Sequence, residues 1–417
     1  MEEIEINATA HQEEKLQDIV SALQEGRKRI VLKGSAGVGK TTLVNFLLNL
    51  RIKGFTYIAA PTHKALSVLK SKIDMTPGKD PVEFCTVHSG LKLKMQVDKK
   101  SGRKYFAQSH RKNDRPFAGC QLLIIDEASM LSKELLGYLE QYNFPIIFLG
   151  DEKQINPVKE IDSPVFHQNW YAVTLTEIIR QNGGNPIIDL SRNLPEIYVK
   201  MAHLNGEGEN AVGFLYSNDR KKIIHKLAEA NGTDILKYIA WTNAEVDSIN
   251  FSVRSFIYGN PAYIEEGEVL VLNSQYVINK DNILHNNFEL KVDTLKEDVK
   301  TFYCDNESFQ YKVYIINEEI YAVHEDFIGM HKQNMRRLKS MCINKAMEWR
   351  TMYKFEEQFL EFKYNHAITV HKSQGSTYQD AIINIKDIDR NRLLEEKKRL
   401  LYTAVTRASR KVILYNV

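Results

Sequence analysis

Short apolar runs punctuate the chain. Ile30-Val31-Leu32, Tyr57-Ile58-Ala59-Ala60, Leu122 to Ile125 and Ile146 to Leu149 fall in its first part. Tyr238 to Trp241, Ala367 to Val370, Ala381 to Ile385 and Val412 to Tyr415 fall in its second. Short runs bounded by turn residues predict strands covered on both faces, as in a parallel sheet. Helical spacing lies between several of them: Leu16, Ile19, Val20 and Leu23 stand at i, i+3, i+4 and i+7, on one face of a helix. Strand–helix alternation predicts α/β units. The strands form two groups, roughly 30–150 and 238–415, so two such domains are expected.

Two stretches break this rhythm. Residues 90–116 alternate in character around a Ser-Gly turn (LKLKMQV, DKKSGR, KYFAQ), which predicts a β-hairpin. Residues 262–330 are rich in Val, Ile, Tyr and Phe with repeated turn signals, which predicts a small all-β insertion. Residues 331–363 then read as helical. Repeats and low-complexity segments are absent from the sequence.

With 417 residues, 43% of them apolar and 26% charged, the chain has the balance of an ordinary globular protein of two to four domains. No apolar run is long enough to span a membrane. The N-terminus, MEEIEINATA, is acidic and has no apolar signal core, so a cytoplasmic location is expected. Cys85, Cys120, Cys304 and Cys342 lack metal-ligand spacing and are expected to be reduced thiols. Net charge is only +3, but its distribution is uneven. Residues 92–115 hold nine Lys/Arg against two Asp, whereas residues 262–330 hold five Lys against fourteen Asp/Glu. The two segments are therefore expected to do different work.

The candidate chemistry begins at Gly34-Ser35-Ala36-Gly37-Val38-Gly39-Lys40-Thr41-Thr42. It follows the strand Ile30 to Leu32 and precedes the apolar helix face Leu43, Phe46, Leu47, the context a phosphate-binding loop requires. Glycines let backbone N–H groups close on phosphate oxygens, and the helix N-terminus adds its dipole. Lys40 is expected at the β/γ-phosphates and Thr41 on Mg²⁺. The strand Leu122 to Ile125 runs into Asp126, a second Mg²⁺ ligand, and Glu127, placed to orient or deprotonate an attacking water. Gln154, beyond the strand Ile146 to Leu149, is a candidate γ-phosphate sensor. ATP and Mg²⁺ are thus the expected substrate and cofactor.

The order of motifs resembles superfamily 1 helicases, subgroup B, over about residues 7–417. They run Thr9-x2-Gln12, GSAGVGKTT at 34–42, APTHKAL at 60–66, TVHS at 86–89 and DEAS at 126–129. GDEKQINPV at 150–158, LTEIIRQN at 175–182, YIAWTNAEVDSIN at 238–250, AITVHKSQGSTY at 367–378 and LLYTAVTRA at 400–408 follow. The resemblance implies an α/β fold of two RecA-like P-loop domains, with a β-hairpin pin inserted in the first and an SH3-like β insertion in the second. The implied boundaries are 1–89 with 117–172, the pin 90–116, 173–261 with 364–417, and the insertion 262–363. It implies that Gln12 reads adenine, that Gly375 belongs to the nucleotide site, and that Arg180 and Arg407 are arginine fingers. It places single-stranded DNA against Pro61, Thr62, His63, Thr86, His88, Thr242, Asn243, Thr369, His371 and Lys372. A threonine or histidine at such a position can equally be a helix cap or a loop hydrogen bond.

In the pin, Phe106 is the candidate tip aromatic. A base–aromatic stack of about 1–3 kcal/mol can offset the roughly 1.4 kcal/mol of one base-pair step; equally, the ring could pack the hairpin. The opposite charges of hairpin and insertion predict mutual attraction. The expected function is a monomeric ATP-dependent DNA helicase, 5′→3′ by resemblance. Its partners would be single-stranded and forked DNA, with a single-strand-binding protein a possible further one, and no membrane. A protein-displacing translocase and a P-loop phosphotransferase indifferent to DNA are the alternatives.

Overall fold

The protein is described as a computed structural model covering residues 8–49, 54–73, 81–109, 114–157, 160, 162–177, 186–192, 203–205, 211–233, 235–279 and 282–416. Arg180 lies outside the described residues. The chain divides into two compact units: Met1–Leu93, Gln108–Asn218 and Thr369–Val417, and Lys94–Ala107 with Asp219–Ile368. This division cuts the chain differently from the sequence boundaries. Most of the hairpin groups with the later residues, and the C-terminal stretch groups with the phosphate loop.

In the first unit, six strands run in the order Val82–Thr86, Phe55–Ala60, Cys120–Ile125, Ile146–Gly150, Arg29–Gly34, Tyr171–Leu175. All the pairings are parallel. The apolar runs are continuous because both faces are buried. Ile30, Leu32, Ile58, Ile124 and Leu149 pack with Ile19, Leu43 and Leu47 of the helices Ala10–Gln24 and Lys40–Asn49. The alternate positions Val31, Ala59, Leu123, Ile125 and Phe148 pack with Leu135, Leu136 and Leu139 of the helix Lys133–Glu140. Parallel register brings the strand ends level, Lys33 opposite Gly150, Ala59 opposite Ile125 and Ala60 opposite Thr86. The motif residues therefore gather at one carboxyl edge, where open α/β sheets bind ligands. Tyr378–Asn384, Ala408–Tyr415 and Val212–Ser217 form further parallel strands of this unit, with His203–Asn205 antiparallel at the edge.

In the second unit, the strand Leu236–Ala240 leads into the helix Asn243–Tyr258. Lys237 is wholly buried, and its ammonium donates to Gly232 O (3.2 Å), Asn365 O (2.7 Å) and Asn365 Oδ1 (2.9 Å). Arg254, near the end of the helix, forms a buried ion pair with Glu268, donates to Ala262 O (2.7 Å) and lies over the Tyr364 ring at 3.9 Å. This joint fixes the entry to the insertion.

The expected all-β character of 262–330 holds as far as Val323. An antiparallel meander, Leu295–Cys304, Glu307–Ile316 and Ile320–Val323, is its largest part. Helical structure begins earlier than the pattern predicts, at Glu325, because the His324 ring accepts the Asp326 N–H and caps the helix. The helices are Glu325–Ile343 and Trp349–Glu356, and the strand Phe362–Tyr364 follows. Phe302, Cys304, Phe309 and Tyr311 of the meander pack on Leu338, Cys342, Trp349, Met352 and Phe355 of the helices.

The hairpin consists of Leu93–Val97 and Lys104–Gln108. Its turn is closed by Asp98, whose Oδ1 accepts from Ser101 N (2.7 Å), Ser101 Oγ (2.7 Å) and Lys100 N (3.1 Å). Gly102 has φ +70°, and a Cβ there would fall 2.4 Å from the Trp349 ring. Only glycine meets both conditions. Tyr353 donates its hydroxyl to Gly102 O at 2.8 Å, and Lys104 sits 3.8 Å over the Tyr353 ring and 3.7 Å from Glu356. The turn thus rests on a helix outside the acidic segment, through ring contacts, one hydrogen bond and the Lys104–Glu356 ion pair. Phe106 lies within the returning strand rather than on the turn, and is 40% exposed.

Candidate functional site

The loop between the strand Arg29–Gly34 and the helix Lys40–Asn49 is shaped by its glycines. Gly37 and Gly39 have φ of +87° and +80°, and a Cβ on Gly34 would meet Val38 Cγ2 at 2.6 Å. Buried Val38 anchors the loop from below. The Lys40 ammonium folds back to Gly34 O (2.7 Å) and Ser35 O (3.1 Å).

A cavity of about 420 Å³ opens on this loop, of a size usual for small-ligand sites. Ala36, Gly37, Gly39, Lys40, Thr41, Thr42, Asp126, Glu127, Gln154, Gly375 and Arg407 line it. Ser35, Gly34 and Val38 form the loop without lining the cavity, and Gln12 does not line it either. Gln12 is instead bound into the start of its helix. Its backbone N–H donates to Thr9 Oγ1 (3.3 Å), and Thr9 N–H donates to its Oε1 (3.2 Å). Its Nε2 is buried without a partner, a donor suited to a base nitrogen.

Asp126 and Glu127 stand at the end of the strand Cys120–Ile125. Asp126 Oδ1 accepts the Glu127 N–H at 2.9 Å, and Glu127 takes the left-handed conformation, φ 51°. This strained backbone stands where Glu127 lines the cavity. Burial pushes the Asp126 carboxyl up, opposed by Lys40. Burial also pushes Glu127 up, helped by Asp126 and opposed by Arg407 and Lys40. A half-buried carboxylate pair of this kind, beside the Thr41 hydroxyl, suits a divalent cation, which would offset the cost of ionising both groups.

Gln154 is 3% exposed and its Oε1 has no partner. Its loop is clasped by residues near Arg407. Tyr402 donates to Asp151 Oδ2 (2.5 Å), Arg399 to Gln154 O (3.1 Å), Gln374 to Ile155 O (3.2 Å), and Ile155 N–H donates to Thr403 Oγ1 (3.2 Å). Arg407 itself donates to Thr403 O (3.1 Å), Ser376 O (3.1 Å) and Thr406 Oγ1 (3.3 Å). Gly375 has φ +75°, and a Cβ there would lie 3.0 Å from Ala65 Cβ. Sequence reasoning missed this clasp. LLYTAVTRA was its signal, but nothing in the string marks Tyr402 as the partner of Asp151.

The four candidate DNA-contact threonines share one local structure. Thr62, Thr86, Thr242 and Thr369 each end a strand or follow it and cap a helix, accepting from Ala65 N (3.2 Å), Ser89 N (3.2 Å), Glu245 N (3.3 Å) and Lys372 N (3.4 Å). Capping uses only one oxygen lone pair, so at Thr62, Thr86 and Thr369 a cap and a phosphate contact are compatible. Burial lowers the pKa of His88 and His371, favouring neutral rings at these positions. Pro61 and His63 flank Thr62, and Asn243 follows Thr242.

These features define a P-loop α/β protein whose phosphate loop, carboxylate pair, glutamine and arginine meet in one cavity. Residues 17–160 match the AAA domain model, and residues 364–415 match the UvrD-like helicase C-terminal domain model. The ATP-dependent DNA helicase dda of Enterobacteria phage T4 is 29% identical, covering 93% of this chain and 94% of that protein. An uncharacterized protein of Acanthamoeba polyphaga mimivirus is 25% identical over 93% of this chain and 95% of its own length. The fold is that of a Pif1 helicase from Candida albicans (TM-score 0.53, 18% identity, 99% of this chain and 95% of that one). It also matches Bacteroides Pif1 solved with ADP-AlF3 and ssDNA (TM-score 0.53, 17% identity, 99% and 93%). The chain thus has the α/β fold with parallel sheets of these Pif1 helicases, and is similar over most of its length to the phage T4 helicase.

Proposed function

We propose that the protein is an ATP-dependent DNA helicase that moves 5′→3′ along single-stranded DNA and parts the duplex at its hairpin. The observation that carries this reading is the meeting of Arg407 with Lys40, Asp126, Glu127 and Gln154 around one cavity. The loop N–H groups and Lys40 would hold the β- and γ-phosphates of ATP. Thr41 and Asp126 would hold Mg²⁺, which supplies charge neutralisation at the transferring phosphoryl group. Glu127 accepts the proton of the attacking water, Gln154 orients that water, and Arg407 neutralises charge on the γ-oxygens. Arg180 is a second finger in this reading, and Gln12 reads the adenine.

The capping threonines, Pro61, His63, His88, Asn243, His371 and Lys372 would contact the strand. The hairpin, built as the pin 90–116, would stand at the fork with the insertion 262–363 as its support. The remaining segments, 1–89 with 117–172 and 173–261 with 364–417, form the two motor domains of this reading. It works as a monomer, with a single-strand-binding protein a compatible partner, in the cytoplasm of the cell in which it is made. Among the described residues no helix is long and apolar enough to cross a membrane.

The test compares ATP hydrolysis with and without single-stranded DNA, then unwinding of a duplex bearing one 5′ tail or one 3′ tail. Stimulated hydrolysis and unwinding from the 5′ tail alone are expected. Stimulation without strand separation would favour a translocase, and hydrolysis indifferent to DNA would sink the reading.

A further inference from the structure

The helix Glu325–Ile343 carries a charge pattern that the proposed motor does not use. From Phe327 to Lys345 the sequence holds Lys332, Arg336, Arg337, Lys339 and Lys345 and no acidic residue. Leu338 and Cys342 face the core with Phe309 and Tyr311 of the meander. Lys332, Arg336 and Lys339 stand along one flank of the helix, all exposed, at i, i+4 and i+7, with exposed Gln333 and Ser340 beside them. Arg337 is set apart from them by its ion pair with Glu307.

An ordinary solvated helix interleaves acids and bases at i, i+3 and i+4, because like charges at those spacings destabilise it. Here Lys332–Arg336 and Arg336–Lys339 are like-charged neighbours, so the stripe costs the helix stability unless an anion meets it. From Lys332 to Lys339 the rise is about 10 Å, the axial rise of about three phosphates on one strand of B-DNA. Uncharged donors between the cations suit phosphate oxygens. The same unit contains the hairpin turn with exposed Lys99, Lys100 and Arg103, which rests on the helix Trp349–Glu356. That helix shares the hydrophobic cluster of Glu325–Ile343 and presents exposed Arg350 and Lys354. The hairpin turn and both helices therefore present exposed cations within one unit.

We propose that the outward face of Glu325–Ile343 is a binding site for the phosphate backbone of duplex DNA, holding the unopened arm beside the hairpin. The inference rests on the helicase reading. It adds a duplex-specific contact to a protein otherwise described by its grip on single strands. Such a site would raise affinity for forks and keep the hairpin in register with the junction, without touching ATP.

The experiment uses the full chain with Lys332→Ala, Arg336→Ala and Lys339→Ala combined. Binding to a blunt duplex, a fork and a single strand is followed by fluorescence anisotropy across a salt series. Each lost phosphate contact removes about 0.9 from the slope of log K against log salt. The triple variant should lose about 2–3 from the duplex slope and about tenfold or more in duplex affinity at low salt. Its single-strand affinity and single-strand-stimulated hydrolysis should stay within about twofold of wild type. Arg337→Ala should change the slope much less, and the charge-preserving set Lys332→Arg, Arg336→Lys, Lys339→Arg should bind duplex as wild type does. An unchanged duplex slope, an equal loss on single strands, or a wild-type protein with no affinity for blunt duplex would overturn the proposal. Absence of DNA-stimulated hydrolysis in the wild type would instead overturn the helicase reading, so the two failures are separable.

Discussion

Arg407 spends its guanidinium donors on two backbone carbonyls and one hydroxyl while facing the carboxylates of the cavity. Its planar fork is therefore pre-aimed, and no lysine can copy that geometry. Arg407→Ala is expected to lower DNA-stimulated turnover by a factor on the order of 10³ or more, the usual worth of an arginine finger. Nucleotide binding, read by a fluorescent ADP analogue, should change little, and Arg407→Lys should not restore the rate. Near-normal turnover in the alanine variant would remove Arg407 from the mechanism.

Phe106 poses a different question at the same scale. It sits on a strand and is 40% exposed, so part of the ring is open to stack on a base. Phe106→Ala should reduce unwinding several-fold or more and leave single-strand-stimulated hydrolysis near normal. Equal losses in both assays, with a lowered melting temperature, would mean that the ring packs the hairpin instead. At this scale the sequence announced the site well. Lys40, Thr41, Asp126, Glu127, Gln154, Gly375 and Arg407 line one cavity: Lys40 and Thr41 begin a helix, Asp126 and Glu127 follow a strand, Gln154 and Gly375 lie in loops, and Arg407 joins a helix to a strand. Gln12 is recognisable as a capping residue but does not line the cavity.

At the scale of elements, buried parallel strands are readable because apolar runs cannot be placed otherwise. Tyr171–Leu175 escaped because it is half-exposed at the sheet edge and carries no continuous run. Val212–Ser217 escaped because Gly213 and Ser217 dilute its pattern. The seat of the hairpin could not be read at all: no spacing rule links Gly102 to Trp349 or Tyr353. That seat predicts its own test. Trp349→Ala opens a cavity beneath the turn, and losing a buried indole typically costs about 3–5 kcal/mol. Unwinding should fall with it. Tyr353→Phe, which removes only the hydrogen bond to Gly102, should cost about 0.5–1.5 kcal/mol. Single-strand-stimulated hydrolysis should survive both changes, since neither residue borders the nucleotide cavity. Loss of hydrolysis in proportion to unwinding would show that the hairpin support is not separable from the motor.

The whole molecule distributes its liabilities unevenly. His331 is enclosed by Tyr311, Phe355 and Phe359, and burial pulls its pKa down to about 4. His366 is pulled down to about 4 by burial, with Lys237 and Arg254 adding repulsion. Both rings are neutral when folded and bind protons more readily when unfolded, where the ordinary value is near 6.5. Their contribution to stability is full above pH 6.5 and is lost as pH falls from about 6.5 towards 4. The thermal midpoint should therefore drop between pH 7 and pH 5, and His331→Phe should blunt that drop. A midpoint independent of pH over this window would contradict the buried neutral state. Charge is divided just as unevenly, since a net of +3 hides a basic hairpin and an acidic meander within one compact unit. Composition alone could not reveal that they share a neighbourhood.

The hydrogen bond from Tyr353 to Gly102 spans 251 positions of sequence. A ribosome adding about 5–20 residues per second leaves roughly 13–50 s between making the turn and making its seat. The sheet around the phosphate loop can close in that time, since its last strand ends at Leu175. The hairpin must wait as an isolated two-stranded ribbon, which is marginal in water at best. The part of the molecule assigned to opening DNA therefore waits longer for its support than the six-stranded sheet around the phosphate loop does. A chain stopped short of residue 349 would hold its phosphate loop and carry a hairpin with nothing beneath it.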